Sequence, residues 1–311
     1  MLSWEMHVDP IAGDNSVPIN AAIAALASSN QGGTVHLAPV TYTIENPIIG
    51  RSNVLLKGAF NGAHLFDSVV NSGTILRWDG VAGGTALYDA PASEADRSDN
   101  GGAEDLSIDC AGIGGIGLQC LSAYYRRYAR IHCVGATTYA YYWGTLWSTN
   151  VVPNYHPQMD SLTAVVTGAA HGIVLDGYPS SGRDTCFASA RNCHITFQNG
   201  IAYCIPNADN CGFVDCAGSR MSGASGTQIW FGGSNNGKCA QSNRFLGYNC
   251  GGGGYISAAD GSYPSRGNYV LTNAEDGVPD IYRAHGASLT VDVFDGEPGY
   301  NGFVRDALRG G

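Results

Sequence analysis

Residues 13–58, GDNSVPINAAIAALASSNQGGTVHLAPVTYTIENPIIGRSNVLLKG, constrain the fold more than any other stretch of this chain. Pro18 suits the first turn of a helix, where its missing N–H removes no bond. Asn15 or Ser16 can cap just ahead of it. Ile19, Ile23 and Leu26 form an apolar stripe, with alanines filling the rest. Gly32-Gly33 ends the helix, because glycine accepts the left-handed geometry of a C-cap. Short strands follow at 34–37, 42–44 and 54–56, separated by a turn at Pro39 and closed by Gly58. One helix ahead of short, tightly turned strands predicts a helix that covers the open end of a strand stack.

The order of these residues resembles the N-terminal module of the pectate-lyase-like superfamily, in the branch found in phage tailspikes and other virion appendages. Gly13-Asp14, Asn20, Ile23, Gly32-Gly33-Thr34-Val35, Leu37, Pro39, Thr41-Tyr42, Ser52, Leu55 and Gly58 keep its order. Asn20 stands where that pattern prefers Asp, and Val40 where it prefers Gly. The resemblance covers about a sixth of the chain and carries no catalytic residues. It implies an all-β fold: a right-handed parallel β-helix, or β-solenoid, with a short N-terminal capping helix. The expected division is a short segment at 1–17, the β-helix with its helix at 18–285, and last coils or a C-terminal cap at 286–311.

The rest of the chain is consistent with coils. Short β-branched or aromatic fragments recur throughout, bounded by Gly, Asn or Asp. At ~4.8 Å per coil, about eleven coils would make a rod of roughly 50 Å. Ten cysteines fit as buried free thiols filling the tube. Cys110 to Cys133 is 23 residues and Cys193 to Cys211 is 18, close to one coil. Asn192-Cys193, Asn210-Cys211 and Asn249-Cys250 read as a repeated corner Asn followed by an inward Cys. Three segments, 60–73, 89–103 and 143–158, read as excursions from the coils.

A net charge of −10, with lysine only at Lys57 and Lys238, leaves no basic stripe for phosphates and excludes nucleic acid as a partner. No run long enough to insert in a membrane appears. MLSWEMHVDP lacks a basic region followed by an apolar core, so no signal peptide is expected and synthesis falls in the bacterial cytoplasm. No C-x2-C pair points to zinc, and no cofactor or metal is expected.

Acidic pairs were weighed because β-helix proteins often cut glycosidic bonds with two carboxylates. Asp105/Asp109, Asp176/Asp184, Asp209/Asp215, Asp276/Asp280 and Asp292/Asp295 are the candidates, and nothing selects among them. His132, His171 and His194 read as structural, and the catalytic residues stay unknown. Aromatic density from 124 to 155 is more distinctive. Sugars pack C–H faces on rings while Tyr O–H and Trp N–H reach hydroxyls. Tyr141, Trp143, Trp147 and Tyr155 are therefore candidate carbohydrate contacts, with Arg126 and Arg127 for acidic sugars. The same rings also suit a core or a subunit interface.

These observations lead to a spike protein of a phage or phage-like particle that binds a host cell-surface polysaccharide. The expected assembly is a parallel homotrimer on the particle surface, with a virion anchoring protein as a further partner. The rival reading is a polysaccharide depolymerase, hydrolase or lyase, on the same scaffold.

Overall fold

The computed structural model describes residues 4–28, 32–60, 66–91, 98–145, 154–177, 185–232, 239–252, 255–258, 265–273, 280–283 and 287–294. It is a right-handed parallel β-helix. Strands stack into sheets of 16, 9 and 5 members among these residues, and every strand pairing is parallel, as in Arg127 with Gly102 on one side and Gln158 on the other.

The helix runs Ser16–Ser28 and buries Ile19, Ile23 and Leu26 as the stripe requires. Asp14 caps it: its carboxylate accepts the N–H and the Oγ–H of Ser16. The same carboxylate accepts the Glu45 N–H and the Asn46 amide, tying helix to first coil. Asn20 does likewise, donating to the Pro47 carbonyl and accepting from the Ile49 N–H. Residues Glu5–Val8, inside the 1–17 segment, form a strand paired with Gly33–Leu37.

Each coil follows one plan. A three-residue strand (102–104, for example) meets a bend, then a second strand of the same sheet (106–109), then the second sheet (116–121), then the short third sheet (123–124). Register partners Gly102, Arg127, Gln158, Ser189, Gly212, Arg244 and Tyr269 give coils of 23 to 32 residues. These are longer than the cysteine spacings suggested, because the turns between sheets absorb extra residues.

The thiols are free, and nine of ten are buried. The Cys110 and Cys133 thiols meet across adjacent coils, as their 23-residue spacing suggested, and Cys193 lies over Cys216, since His194 pairs with Ala217. Cys211 occupies another column altogether, beneath Asn243. The corner asparagines also separate. Asn192 and Asn210 have φ of 52° and 54° but sit at different bends, while Asn249 lies within the strand Arg244–Gly251, and Gly247 takes the left-handed position there.

Residues 66–73 of the first excursion lie over the outer face of the first sheet. Val70 and Ile75 pack on Val134 and Val165, and the Asp67 carbonyl meets His132 Nε2 at 3.0 Å. His132 also bonds Thr163 Oγ1 at 2.7 Å, so its role is structural. His171 Nδ1 accepts the Ile201 N–H, whereas the buried Nε2 of His194 has no partner and its ring meets Phe66 edge-on.

Candidate functional site

The bend between the third and first sheets demands one left-handed residue per coil. Gly32, Asn53, Asn100, Tyr125, His156, Phe187, Asn210, Ser242 and Gly267 fill it, all with φ between 53° and 68°. Each non-glycine N–H is held by the carbonyl that precedes the next bend, as Tyr125 by Tyr155 and His156 by Cys186. Gly and Asn suit this conformation; bulky side chains there carry about 1–2 kcal/mol of strain. Three consecutive coils nevertheless place rings at the bend.

These rings stack outside the tube. Tyr125 and His156 are parallel within 6° at 5.1 Å, and His156 and Phe187 within 19° at 5.2 Å. Both separations exceed the ~3.5–4.0 Å of direct contact between carbons, so the rings are slipped and each leaves part of its face open. Tyr125 is 51% exposed and Phe187 41%. Beside them Tyr124 stacks on Tyr155 at 5.7 Å, and Tyr155 meets Phe187 edge-on at 5.2 Å. The result is an aromatic strip across three coils, two columns wide on the first two and continued by Phe187 alone on the third. On its other side run the outward side chains of Arg127, Gln158 and Ser189, all exposed.

The expected contact Trp147 lies outside the described residues.

The other expected contacts divide. Tyr155 and Arg127 are at the strip. Tyr141 and Trp143 are not: both point into the tube and are fully buried, Tyr141 donating to the Ile131 and Thr163 carbonyls. Alternation over residues 141–143 decides this, since Tyr142 between them takes the outward position. Arg126 is also removed from any surface. The left-handed residue 125 turns position 126 inward, where the guanidinium is fully buried against Asp89, with the Arg51 and Asn100 carbonyls as further acceptors. Phe187 and His156 were missed. Their signal was the 31-residue spacing from Tyr125 to His156 to Phe187, visible only once the coil length is known.

A second outward cluster sits on the second sheet. Tyr139 and Tyr142 stack at 5.2 Å, and the Tyr142 hydroxyl donates to Asp176 at 3.2 Å. Burial pushes the Asp176 carboxyl above the usual range, against the Gly177 N–H and the Tyr142 hydroxyl, which favour its ionised form. The other carboxylates differ. Asp105 is held below the usual range chiefly by hydrogen bonds from Arg130, Asp109 pairs with Arg77, and Asp292 accepts from Tyr269. Asp184, Asp276 and Asp295 lie outside the described residues. No group of three His, Cys, Asp or Glu residues is placed to hold a metal among the described residues. Nor is any described helix long and apolar enough to cross a membrane.

No family model and no curated protein matches the sequence. Solved structures do. A tailspike protein from an Acinetobacter baumannii bacteriophage, a capsular polysaccharide depolymerase, aligns with 94% of this chain at 12% identity and TM-score 0.58. The ORF18 protein of Geobacillus virus E2 aligns with 94% at 13% identity and TM-score 0.53. An epimerase module from Azotobacter vinelandii aligns with 93%, at 13% identity and TM-score 0.45. The chain spans 57% of the first of these proteins and 60% of the second. At these identities the likeness is one of fold.

Proposed function

We propose that this chain belongs to a spike of a phage or phage-like particle and binds a host cell-surface polysaccharide along the Tyr125–His156–Phe187 bend. The observation that carries this reading is the exposed ring stack on strained backbone. Three bulky residues occupy positions where Gly or Asn would cost nothing, and such outliers cluster at functional sites. Open ring faces suit the C–H faces of sugars, and the flanking polar column suits their hydroxyls. The fold shared with a phage tailspike supports a place on a particle surface, and the assembly proposed there is a homotrimer held by an anchoring protein. Binding to capsular polysaccharides from candidate hosts tests the reading. Saturable binding that falls with Phe187→Ala is expected; unchanged affinity would remove this site.

Asp176 favours a second reading, depolymerase activity on the same scaffold. Its buried carboxyl, bonded to an outward tyrosine, fits a general acid. Release of reducing ends that stops in Asp176→Asn, with binding intact, would establish it. Binding without any product would leave the spike as a receptor-binding protein.

A further inference from the structure

We infer that the bend reads an anionic polysaccharide whose charge recurs on alternate sugars. This rests on the polysaccharide-binding reading above and adds its charge pattern.

Three exposed guanidiniums stand on the outward face of the first sheet: Arg127 and Arg244 two residues past the bend, and Arg191 four residues past it. None forms an ion pair among the described residues, whereas Lys57, Arg77, Arg126 and Arg130 are all paired. Their register neighbours explain why. Arg127 lies between Gly102 and Gln158, and Arg244 between Gly212 and Tyr269. Arg191 lies between Asp160 and Val214, but the Asp160 carboxylate accepts from Ser161 Oγ at 3.0 Å instead.

The three arginines fall on alternate coils. Gln158 and Ser189 take Arg127 to the coil of Arg191, and Gly212 separates Ser189 from Arg244. With coils ~4.8 Å apart, the cations recur at roughly 10 Å along the axis. One coil is about the length of one pyranose in an extended chain. A polymer lying along the ring column would therefore meet a ring on each of the three coils of Tyr125, His156 and Phe187, with the guanidiniums of Arg127 and Arg191 on the first and third of them. Guanidinium binds carboxylate or sulfate through two parallel N–H bonds, which favours charged sugars over neutral ones.

The experiment compares immobilised hyaluronan, with a carboxylate on every second sugar, polygalacturonate, with one on every sugar, and neutral dextran. Tightest retention of hyaluronan, weakening as salt rises, is the expected result. Arg127→Gln and Arg191→Gln should each weaken it about tenfold, the scale of one charged hydrogen-bonded pair. Arg127→Lys should keep the salt dependence while losing part of the affinity. Thermal melts of these surface variants, expected to match wild type, confirm that binding rather than folding has changed. Equal retention of dextran, equal or tighter retention of polygalacturonate, or indifference to the arginine variants would overturn the charge pattern while leaving polysaccharide binding in place. Retention of none of the three would count against both.

Discussion

The rings of Tyr125 and His156 lie 6° from parallel and 5.1 Å apart, one coil above the other, on backbone that both hold at φ 53°. Stacking and strain here oppose each other. Tyr125→Gly relieves about 1–2 kcal/mol of left-handed strain and forfeits about 0.5–1.5 kcal/mol of ring contact. The melting temperature should move by only a few degrees. Polysaccharide affinity should still fall roughly tenfold, because one of three rings is gone. A variant that binds normally would mean the rings serve only to stack.

Asp14 makes acid stability depend on the helix cap. Burial disfavours its ionised form, but hydrogen bonds from the Glu45 N–H, Ser16 Oγ, Asn46 and the Ser16 N–H outweigh that and lower it to about 2. A depressed carboxylate stabilises the fold fully above its unfolded value near 4 and loses that contribution as pH falls toward 2. Solvent screening at this partly exposed site leaves about 1 kcal/mol. Asp14→Ala should therefore be less stable at pH 7 and converge on wild type near pH 2. A constant gap across that window, in urea titrations, would assign the loss to something other than charge.

The first coils were legible because local chemistry fixes them. Pro18 and the Ile19/Ile23/Leu26 stripe act within a few residues of each other, and the structure places them as read, whereas Gly32 takes the left-handed bend ahead of the strand Gly33–Leu37 rather than the end of the helix at Ser28. Site residues depend instead on which way a side chain points, and here two effects intervene. Alternation along residues 139–144 sends Tyr141 and Trp143 inward and Tyr142 outward. A left-handed bend at Tyr125 resets that alternation, turning Arg126 inward and Arg127 outward. Bends without a Gly or Asn leave no local mark in the sequence, so His156 and Phe187 gave no sign of their exposure. The column becomes visible only once the 31-residue coil length is known.

Arg126 and Asp89 form a buried ion pair, with the Tyr128 hydroxyl donating to the same Asp89 oxygen. Removing one partner strands the other charge inside the tube. Asp89→Ala is expected to cost about 3–5 kcal/mol. Replacing both, as Arg126→Met with Asp89→Leu, should recover much of that, since two charges no longer need to leave water. Chemical denaturation of the single and double variants measures the difference, and additive losses would show that packing, not charge, dominates.

Thiol chemistry should be confined to Cys186, which is not buried. Burial, reinforced by the nearby Asp89 and Asp176 carboxylates respectively, pushes the Cys120 and Cys204 thiols up to about 12. Thiolate, the reactive form, is then scarce at neutral pH. Titration with a thiol reagent should find one fast group in the native protein and ten after unfolding. Several fast groups in the native state would indicate open coils.

Asn243 and Asn268 stack as a ladder inside the bend on adjacent coils. Asn243 donates to Ala208 O and Asn268 Oδ1, each at 3.0 Å, and accepts from the Cys211 N–H at 3.1 Å. Asn268 donates to Ala240 O at 3.0 Å and accepts from the Asn243 N–H at 3.1 Å. Asn268→Ala leaves buried donors and acceptors unpaired, at about 1–3 kcal/mol. In a solenoid each coil leans only on its neighbours, so the loss should stay local. Amides of the strands Asn268–Asn273 and Leu289–Phe294 should exchange faster with solvent, while those of Gly102–Asp109 keep wild-type protection. Uniform loss of protection along the chain would mean that the coils unfold as one unit and that the ladder is felt throughout the rod.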